Sequence, residues 1–290
     1  MTLVVLADIH ANFASLEAAV HRIDVLRPDG VVLLGDYITD CPHPRRTMEL
    51  IYGLRRRYPV YMVRGNREDY ILSHRRAIRE GRDDGWCTGS GTGTLLYTYE
   101  QLTEADLDFL EALPVSLDIH LPGCPSITAC HGSPFKTKDW IIGNDEKIRT
   151  SLKYATGDLV LCGHAHRTVR YDRYGKSLLV CPSLGIPQDK HNPSTMTVLR
   201  CIGRRWVRDP SQVCTQVSYD TAAFLREFKT SGLLDIAPVW SQCVIKSITD
   251  RVDYPAKCAS HAYHYARSEG VAGVPPEKYW HRAAREIGVE

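Results

Sequence analysis

The strongest constraint on this chain is a repeated arrangement in which a short apolar run ends in a polar motif. Apolar runs at 3–7, 31–34, 60–63 and 159–162 are typical of buried strands. They lead into Asp8-Ile9-His10, Gly35-Asp36, Gly65-Asn66-Arg67-Glu68 and Gly163-His164-Ala165-His166, and His131-Gly132 follows a further apolar stretch. Ligands of α/β proteins bind at the carboxyl ends of strands, so these polar side chains are expected at one sheet edge.

Composition narrows the class of protein. The chain has 290 residues, which is enough to bury a full core. Its formal net charge of +2 argues against a polybasic nucleic-acid-binding protein. Arginine is nevertheless concentrated between 45 and 82. We interpret most of these arginines as a solvated helix face, and secondarily as a field that attracts an anionic substrate.

The sequence predicts a reduced, cytoplasmic protein. No apolar run approaches the roughly 18 residues that a membrane-spanning helix needs, and the N-terminus enters a strand without the features of a signal peptide. Ten cysteines are present, but none forms a CxxC pair. Cys130, Cys162 and Cys181 lie inside apolar runs, where a thiol behaves as a small hydrophobe. Free thiols are therefore favoured over a disulfide framework.

The order of predicted elements indicates a parallel sheet with crossover helices. Helices expected at 12–26 and 44–57 alternate with the first three strands, and such alternation favours right-handed crossovers. A glycine- and threonine-rich segment at 81–93 lacks the lysine of a phosphate-binding loop, so it is interpreted as a flexible loop. A helix at 103–112, a strand pair at 115–120 and 126–130, a helix at 145–154 and a more antiparallel set of strands at 159–217 follow.

The last part of the chain has a different character. Glycine and proline punctuation predicts helices at 220–231, 236–250, 255–269 and 276–287. We therefore divide the chain into a domain at 1–218 and a helical appendage at 219–290. The appendage could cap a substrate cleft with Trp240, Tyr263, Tyr265 or Trp280, although aromatic residues at helical spacing favour a core role.

The polar motifs predict a pair of metal ions. Asp8 and His10 are separated by one residue after a strand, so both can face one ion. Asp36 has two carboxylate oxygens that can bridge two cations. A mixed oxygen and imidazole set favours Mn, Fe, Co, Ni or Zn over calcium. Two such ions about 3.5–4 Å apart activate water as hydroxide and clamp phosphate oxygens.

The five motifs, taken in order, resemble those of the calcineurin-like metallophosphoesterase superfamily, particularly its bacterial phosphodiesterase and diadenosine-polyphosphatase branch. The resemblance covers about the first two hundred residues and implies an α/β fold, a four-layer α/β/β/α sandwich, here with a C-terminal helical appendage. It implies that Asp8, His10 and His166 hold one metal and that Asp36 bridges. Asn66, His131 and His164 would hold the second metal. Asn66, Arg67 and His131 take the catalytic positions, and Asn66 and Arg67 those that bind phosphate.

Arg67 departs from the family pattern, which often has histidine at this position as a general acid or phosphate ligand. Arginine stays protonated, so it cannot be a general acid, but its guanidinium can bind two phosphate oxygens. We hypothesise that Arg67 clamps phosphate and that Glu68 orients it. The alternative is that Arg67 points away and pairs with an acid. Without a general acid, aryl phosphates, phosphoanhydrides and activated diesters are the expected substrates.

The resulting functional prediction is a metal-dependent phosphoesterase that hydrolyses a small phosphodiester or nucleotide phosphoanhydride with a metal-activated hydroxide. Two divalent ions are expected, manganese first, then iron, zinc or nickel. The alternatives are a phosphomonoesterase, protein phosphatases included, or a metal-binding scaffold without catalysis. The expected partner is a small phosphorylated compound such as a nucleotide, rather than a membrane or a nucleic acid. The sequence leaves the oligomeric state open.

Overall fold

The computed structural model describes residues 1–190, 193–208 and 215–290. Strands alternate with helices in the first third of the chain, as the sequence predicts. The strands are β1 (Thr2–Leu6), β2 (Gly30–Leu33), β3 (Val60–Met62), β4 (Ser116–Ile119), β5 (Ile127–Cys130), β6 (Leu159–Cys162), β7 (Val169–Arg173), β8 (Lys176–Val180), β9 (Thr195–Ile202), β10 (Arg205–Arg208) and β11 (Thr215–Gln216).

The helices flank these strands and make up most of the C-terminal part. They are α1 (Phe13–Leu26), α2 (Pro44–Arg57), α3 (Asn66–Arg79), α4 (Gly93–Gln101), α5 (Glu104–Glu111), α6 (Asp145–Tyr154), α7 (Thr221–Thr230), α8 (Leu233–Ile236), α9 (Pro238–Asp250), α10 (Tyr254–Ser268) and α11 (Glu277–Glu286). The sequence analysis missed α3, α4 and the short α8. The other helices agree with the predicted ranges to within a few residues.

The first sheet has the strand order β10-β9-β1-β2-β3, and β11 also pairs with β9. Strands β1, β2 and β3 are parallel, and β9 runs antiparallel to β1. The predicted parallel arrangement of the first three strands is therefore confirmed. Strand β1 lies in the middle of the sheet, so the residues directly after it are surrounded by protein.

The second sheet has the order β4-β5-β6-β8-β7. Strands β4 and β5 form the predicted antiparallel pair, but β5, β6 and β8 are parallel to one another. The more antiparallel character predicted over 159–217 is confirmed for the pairs β7–β8 and β9–β10. The grouping of these strands into one set was wrong, because β9 and β10 return to the first sheet, where β9 pairs with β1. Residues 191–192 and 209–214 of that predicted range lie outside the described residues.

Three apolar layers hold the sheets and helices together. The faces of the two sheets that meet bury Leu3, Val5, Val32, Leu161 and Leu179 between them. A second cluster fills the space between the first sheet and helices α1 and α2, and a third lies between the second sheet and α6. The chain thus forms the α/β/β/α sandwich that the resemblance implies, with the predicted helices after it.

Local sequence explains where the key helices begin. Asn12 caps α1, since its Oδ1 accepts a hydrogen bond from the Ser15 backbone N–H at 3.0 Å. Helix α3 begins directly after β3, and Glu68 in its first turn accepts the backbone N–H of Gly65 at 2.8 Å. Gly65 has no side chain, so only this Glu68 half of a capping box forms. Helix α3 begins at Asn66, which places a predicted metal ligand at the helix N-terminus.

The arginine-rich segment is only partly a solvated face. Residues 55–57 are exposed, as expected. Arg75 is buried, however, and its guanidinium pairs with Glu104, Asp108 and Glu111 around α5. This network ties α3 to α5. For Arg75, the solvated-face interpretation was wrong, because the acids that surround it come from a distant part of the sequence.

The C-terminal helices share an apolar cluster with the strand-end loops. Phe224, Phe228 and Val244 pack with Ala11 and Ile186, which lie beside the predicted metal ligands. The division of the chain into domains at 1–218 and 219–290 stays a prediction. The shared cluster does show that the two segments bury apolar surface against each other.

The glycine-rich loop has a structural role. Residues 81–92 contain no helix or strand, in agreement with the predicted loop. Ser90 donates its hydroxyl to Glu277 of α11 at 2.5 Å and accepts the backbone N–H of Val239 at 2.9 Å. The backbone N–H of Gly89 donates to the Ile236 carbonyl at 2.7 Å. This loop therefore anchors the C-terminal helices.

Two predicted absences can be compared with the described residues. All nine cysteines in that part of the chain are free thiols, as expected. Across the same residues, none of the helices combines the length and the apolar character needed to cross a bilayer.

The contact between the glycine-rich loop and the C-terminal helices leads to a stability prediction. A Cβ added at Gly93 would lie 2.5 Å from the Ile236 carbonyl oxygen. We expect Gly93→Ala to lower the free energy of unfolding by about 1–3 kcal/mol, as overpacking does. Urea denaturation measures it. Gly53→Ala in α2 is the control, because the nearest atom to its Cβ would be Arg56 Nη2 at 3.8 Å. Equal stabilities for the two variants would contradict the prediction.

Candidate metal centre and substrate cavity

The predicted ligands lie on loops at the carboxyl ends of strands, in a strained backbone. Asp8 and His10 follow β1, Asp36 follows β2, and His164 and His166 follow β6. These five residues all have positive φ values between 50° and 66°. Such left-handed geometry is unfavourable for residues with a Cβ, and it is usually concentrated at functional sites. Here it directs the short polar side chains toward one point.

One group of candidate ligands consists of Asp8, His10 and His166. All three residues are buried, and their ligand atoms lie within 4.8 Å of one another. His166 Nε2 is 3.4 Å from Asp8 Oδ1, and His10 Nε2 is 3.1 Å from His166 Nε2. The structure therefore brings together the three residues that the resemblance assigns to the first metal.

The second group consists of Asp36, His131 and His164. His131 Nε2 lies 3.4 Å from Asp36 Oδ1 and 3.0 Å from Asn66 Oδ1. Asn66 thus joins this group through its side-chain oxygen. The two groups are adjacent, since His10 Nε2 is 3.8 Å from Asp36 Oδ2. Asp36 therefore faces both groups, which is the position expected of a bridging ligand.

Hydrogen bonds fix the orientation of three imidazoles. The Nδ1 atoms of His10, His131 and His166 face the Asp40 carboxylate, the Leu34 carbonyl and the Ile186 carbonyl at 2.9, 2.7 and 2.6 Å. Carboxylates and carbonyls only accept hydrogen bonds, so each Nδ1 carries a proton. In the neutral ring, each Nε2 then presents its lone pair to the centre, as a metal ligand requires.

The orientation of these imidazoles shows whether the candidate ligands suit a metal. The Nε2 lone pairs of His10 and His166 face each other at 3.1 Å. Two acceptors at this distance repel unless a proton or a cation lies between them. Around them, Asp8 and Asp36 are buried carboxylates, and burial of such charges is costly without cations. The donor set consists of three imidazoles held by Nδ1–H bonds, the imidazole of His164 and two aspartates. This mixed nitrogen and oxygen set fits divalent transition metals.

The electrostatics of the metal-free residues favour positive charge at the centre. Burial opposes ionisation of Asp36, but His131 and His10 hold the pKa of its carboxyl far below the ordinary value. Burial likewise opposes protonation of His131, yet Asp36 raises the pKa of this imidazole to about 10. His164 differs, because burial and the neighbouring His131 lower its pKa to about 4.

Arg67 lies at the cavity and is paired with an acid at the same time. Its backbone N–H donates to Asp36 Oδ1 at 2.8 Å, and its Nη2 lies 3.2 Å from Asp40 Oδ2. The predicted pairing with an acid is therefore present, although Arg67 does not point away from the cavity. Phosphate binding by Arg67 stays a prediction. Glu68 accepts the backbone N–H groups of Gly65, Asp36 and Tyr37. Its carboxylate therefore orients the ligand loops, while Asp40 holds the Arg67 guanidinium.

Five of the seven candidate ligands line a cavity of about 200 Å³, namely His10, Asp36, Asn66, His164 and His166. Asp8 and His131 lie buried behind them. One wall comes from the C-terminal helices, through Trp240 and Val244 of α9 and Pro255 of α10. Trp140, which is 43% exposed, stands at the rim on the loop after β5. The core interpretation of the tail aromatics holds for Trp280, which is 1% exposed. Trp240 instead is partly buried and faces the cavity.

Asp40 is the functional residue that the sequence analysis missed. It follows the Gly35-Asp36 motif by four residues, is 1% exposed, and contacts both His10 and Arg67. Its signal in the sequence is weak, since an aspartate in a loop before Pro42 also suits a turn. Only the fold shows which donors surround it.

A comparison with known proteins agrees with this geometry. Residues 1–168 match the family described as calcineurin-like phosphoesterase. An uncharacterized protein of Methanocaldococcus jannaschii is 25% identical over 186 residues, which cover 64% of this chain and 71% of that protein. The family match spans more than half of the chain and contains Asp8, His10, Asp36, His131 and His166.

Two solved structures have a similar fold at 20% sequence identity. A hypothetical protein of Pyrococcus horikoshii has a TM-score of 0.68, with 85% of this chain and 97% of that chain covered. A metallophosphoesterase of Sphaerobacter thermophilus has a TM-score of 0.65, with 87% and 100% covered. This chain belongs to the calcineurin-like phosphoesterase family, and its class is that of the metal-dependent phosphoester hydrolases. The expected family, fold and general reaction are thereby confirmed.

The protonated imidazoles lead to a prediction about metal uptake. With the pKa of His131 raised to about 10, a metal must displace its proton at neutral pH. We therefore expect Mn²⁺ binding to release protons and its apparent affinity to rise with pH between 6 and 9. Calorimetry in buffers of different ionisation enthalpy measures the release. His131→Ala should reduce it more than His164→Ala, because the low pKa leaves His164 neutral. Proton-independent binding would contradict this prediction.

Proposed function

We propose that this protein hydrolyses a small phosphodiester or a nucleotide phosphoanhydride with two divalent metal ions, manganese first among them. The observation that carries the proposal is that two adjacent groups of candidate metal ligands lie at one cavity. Arg67 lines the same cavity. Asp8, His10 and His166 would hold one ion and Asn66, His131 and His164 the other, with Asp36 between them.

The dimensions of the cavity support a small substrate. Its volume of about 200 Å³ is below that of typical drug-sized ligand pockets. Helices α9 and α10 close one side, which limits the approach of a folded phosphoprotein or a nucleic-acid duplex. Trp140 at the rim offers an exposed aromatic face on which a nucleobase or an aryl group could stack. This arrangement favours nucleotide-sized compounds.

The side chains of the chain have distinct roles in this proposal. When bound, the two ions would supply an activated water and charge neutralisation of the phosphate. Asn66 directs its Oδ1 toward His131 Nε2, which leaves its Nδ2 hydrogens for a phosphate oxygen. The Arg67 guanidinium, 20% exposed at the cavity, can donate to another phosphate oxygen and stabilise charge in the transition state.

Arg67 and the charged residues around it are not suited to donate a proton to the leaving group. Arginine remains protonated, and the pKa of Asp40 lies well below its ordinary value, because Arg67 and His10 outweigh the effect of burial. Asp253 of the cavity wall caps α10 by accepting the Ala256 backbone N–H at 3.1 Å. These contacts support substrates whose leaving group departs as an anion. Phosphomonoester hydrolysis and a non-catalytic scaffold are the competing functions.

The first test compares two chromogenic esters. We expect the metal-stripped protein to be inactive and the Mn²⁺-reloaded protein to hydrolyse bis-p-nitrophenyl phosphate faster than p-nitrophenyl phosphate. The physical reason is that Arg67 is already paired with Asp40, so the site offers less positive charge to the second negative charge of a monoester. Faster monoester turnover would replace the proposal with a phosphatase. Inactivity on both esters, in a protein that binds two Mn²⁺ ions, would favour the scaffold.

A second test addresses Arg67 directly. We expect Arg67→Gln to lower kcat/KM for the diester by about 10–100-fold, since it removes a charge-assisted contact to phosphate. Glutamine keeps a hydrogen-bond donor near Asp40, so the change is milder than truncation to alanine. Arg76→Ala, at an exposed position of the same helix, is the control and should retain full activity. Unchanged diester hydrolysis in Arg67→Gln would remove Arg67 from the phosphate site.

A further inference from the structure

Asp40 is surrounded by four hydrogen-bond donors and one guanidinium. Its Oδ2 accepts from His10 Nδ1 at 2.9 Å and from Thr39 Oγ1 at 2.9 Å, and it forms an ion pair with Arg67 Nη2 at 3.2 Å. Its Oδ1 accepts from Trp240 Nε1 at 2.8 Å and from Thr94 Oγ1 at 3.3 Å. An ionised carboxylate offers about four lone-pair sites, so these donors saturate Asp40. It has no capacity left to bind substrate or metal.

The contact with His10 determines how that imidazole meets a metal. Because the carboxylate can only accept, the Nδ1 atom of His10 must donate, and Nε2 is left to face His166 and Asp36. A carboxylate behind a metal-binding histidine fixes the ring and raises its basicity as a ligand. Among the three imidazoles with a fixed Nδ1, those of His131 and His166 donate to backbone carbonyls. His10 alone of these three depends on a side chain.

The same carboxylate positions the two residues that define the cavity wall. Arg67 Nη2 and Trp240 Nε1 bind different oxygens of Asp40, and the guanidinium carbon lies 5.5 Å from the centroid of the Trp240 ring. Helix α9 is thereby joined to the loop after β2 at the cavity. The Asp40 carboxylate thus fixes the positions of three features: the candidate metal ligand His10, the candidate phosphate contact Arg67, and the C-terminal helices through Trp240.

We propose that Asp40 is the positioning residue of this site. It sets the tautomer of His10 for the metal that Asp8, His10 and His166 would hold. It also fixes Arg67 and Trp240 at the cavity. The inference rests on the proposed function, since it assumes that His10 is a metal ligand. Asparagine cannot replace Asp40, because its amide group would direct N–H hydrogens at one set of these donors.

The test measures Mn²⁺ binding by calorimetry on Asp40→Asn and the wild type. We expect the wild type to bind two Mn²⁺ ions, and the variant to bind one of them about 10–100-fold more weakly, as loss of such a carboxylate does. The second ion, held by His131 and its neighbours, should keep its affinity. A general loss of structure would weaken both sites together, so this difference between the sites identifies a positioning role.

Asp106→Asn is the matched control. Asp106 is also a buried carboxylate, and it accepts from Tyr52 Oη at 2.6 Å and from the Thr103 backbone N–H at 2.9 Å. It caps α5 and has no contact with the candidate ligands. The control should lower the melting temperature but leave both Mn²⁺ affinities unchanged. An Asp40→Asn variant that binds Mn²⁺ as Asp106→Asn does would overturn the inference.

A measurement on the wild type covers the case in which Asp40→Asn does not fold. In the protein loaded with diamagnetic Zn²⁺, a long-range ¹H–¹⁵N spectrum should show His10 with a protonated Nδ1 and a metal-bound Nε2. Zinc bound through Nδ1 of His10 would overturn the inference. A wild type that binds neither Mn²⁺ nor Zn²⁺ would overturn the proposed function as well, whereas unchanged binding in Asp40→Asn overturns the inference alone.

Discussion

The structure depends on the concentration of buried charge at the carboxyl ends of β1, β2 and β6. Asp8, Asp36 and Asp40 are all buried, and transfer of a carboxylate out of water costs several kcal/mol unless it is paired. The left-handed backbone at the same loops adds about 1–3 kcal/mol for each residue. The two packed sheets offset these costs through apolar burial.

The helical appendage belongs to this electrostatic arrangement as well as to the apolar core. Trp240 brings an indole N–H to Asp40, while the glycine-rich loop binds α11 through Ser90 and Glu277. Both contacts join the C-terminal helices to segments of the sandwich that carry the site or support it. The appendage therefore acts on the cavity in two ways: it forms a wall, and it supplies one of the donors that keep Asp40 ionised.

The sequence and the family resemblance predicted which residues lie together at the candidate metal centre better than they predicted the surroundings of that centre, and the reason is physical. Asp8, His10, His164 and His166 follow apolar strands, so local periodicity and short motifs place them. Helix α3 was not predicted, because its sequence is largely polar and its N-cap, Gly65, has no side chain that could mark a helix start. Asp40, Trp240 and Arg75 acquire their roles from partners more than 25 residues away. No local pattern contains that information, and the return of β9 to the first sheet is likewise a long-range pairing.

The pairing of Arg67 with Asp40 also changes the charge and the flexibility that an arginine at this position brings to the cavity. A free guanidinium would carry a full positive charge to the phosphate, but here the 3.2 Å ion pair shares that charge with a buried carboxylate. The pairing restricts the conformations of the Arg67 side chain, so under the proposed function less side-chain entropy would be lost on phosphate binding. It also limits the net positive charge that the guanidinium adds to the cavity. Under the proposed function, a substrate with a single negative charge per phosphorus is therefore expected to suit this cavity better than a doubly charged monoester.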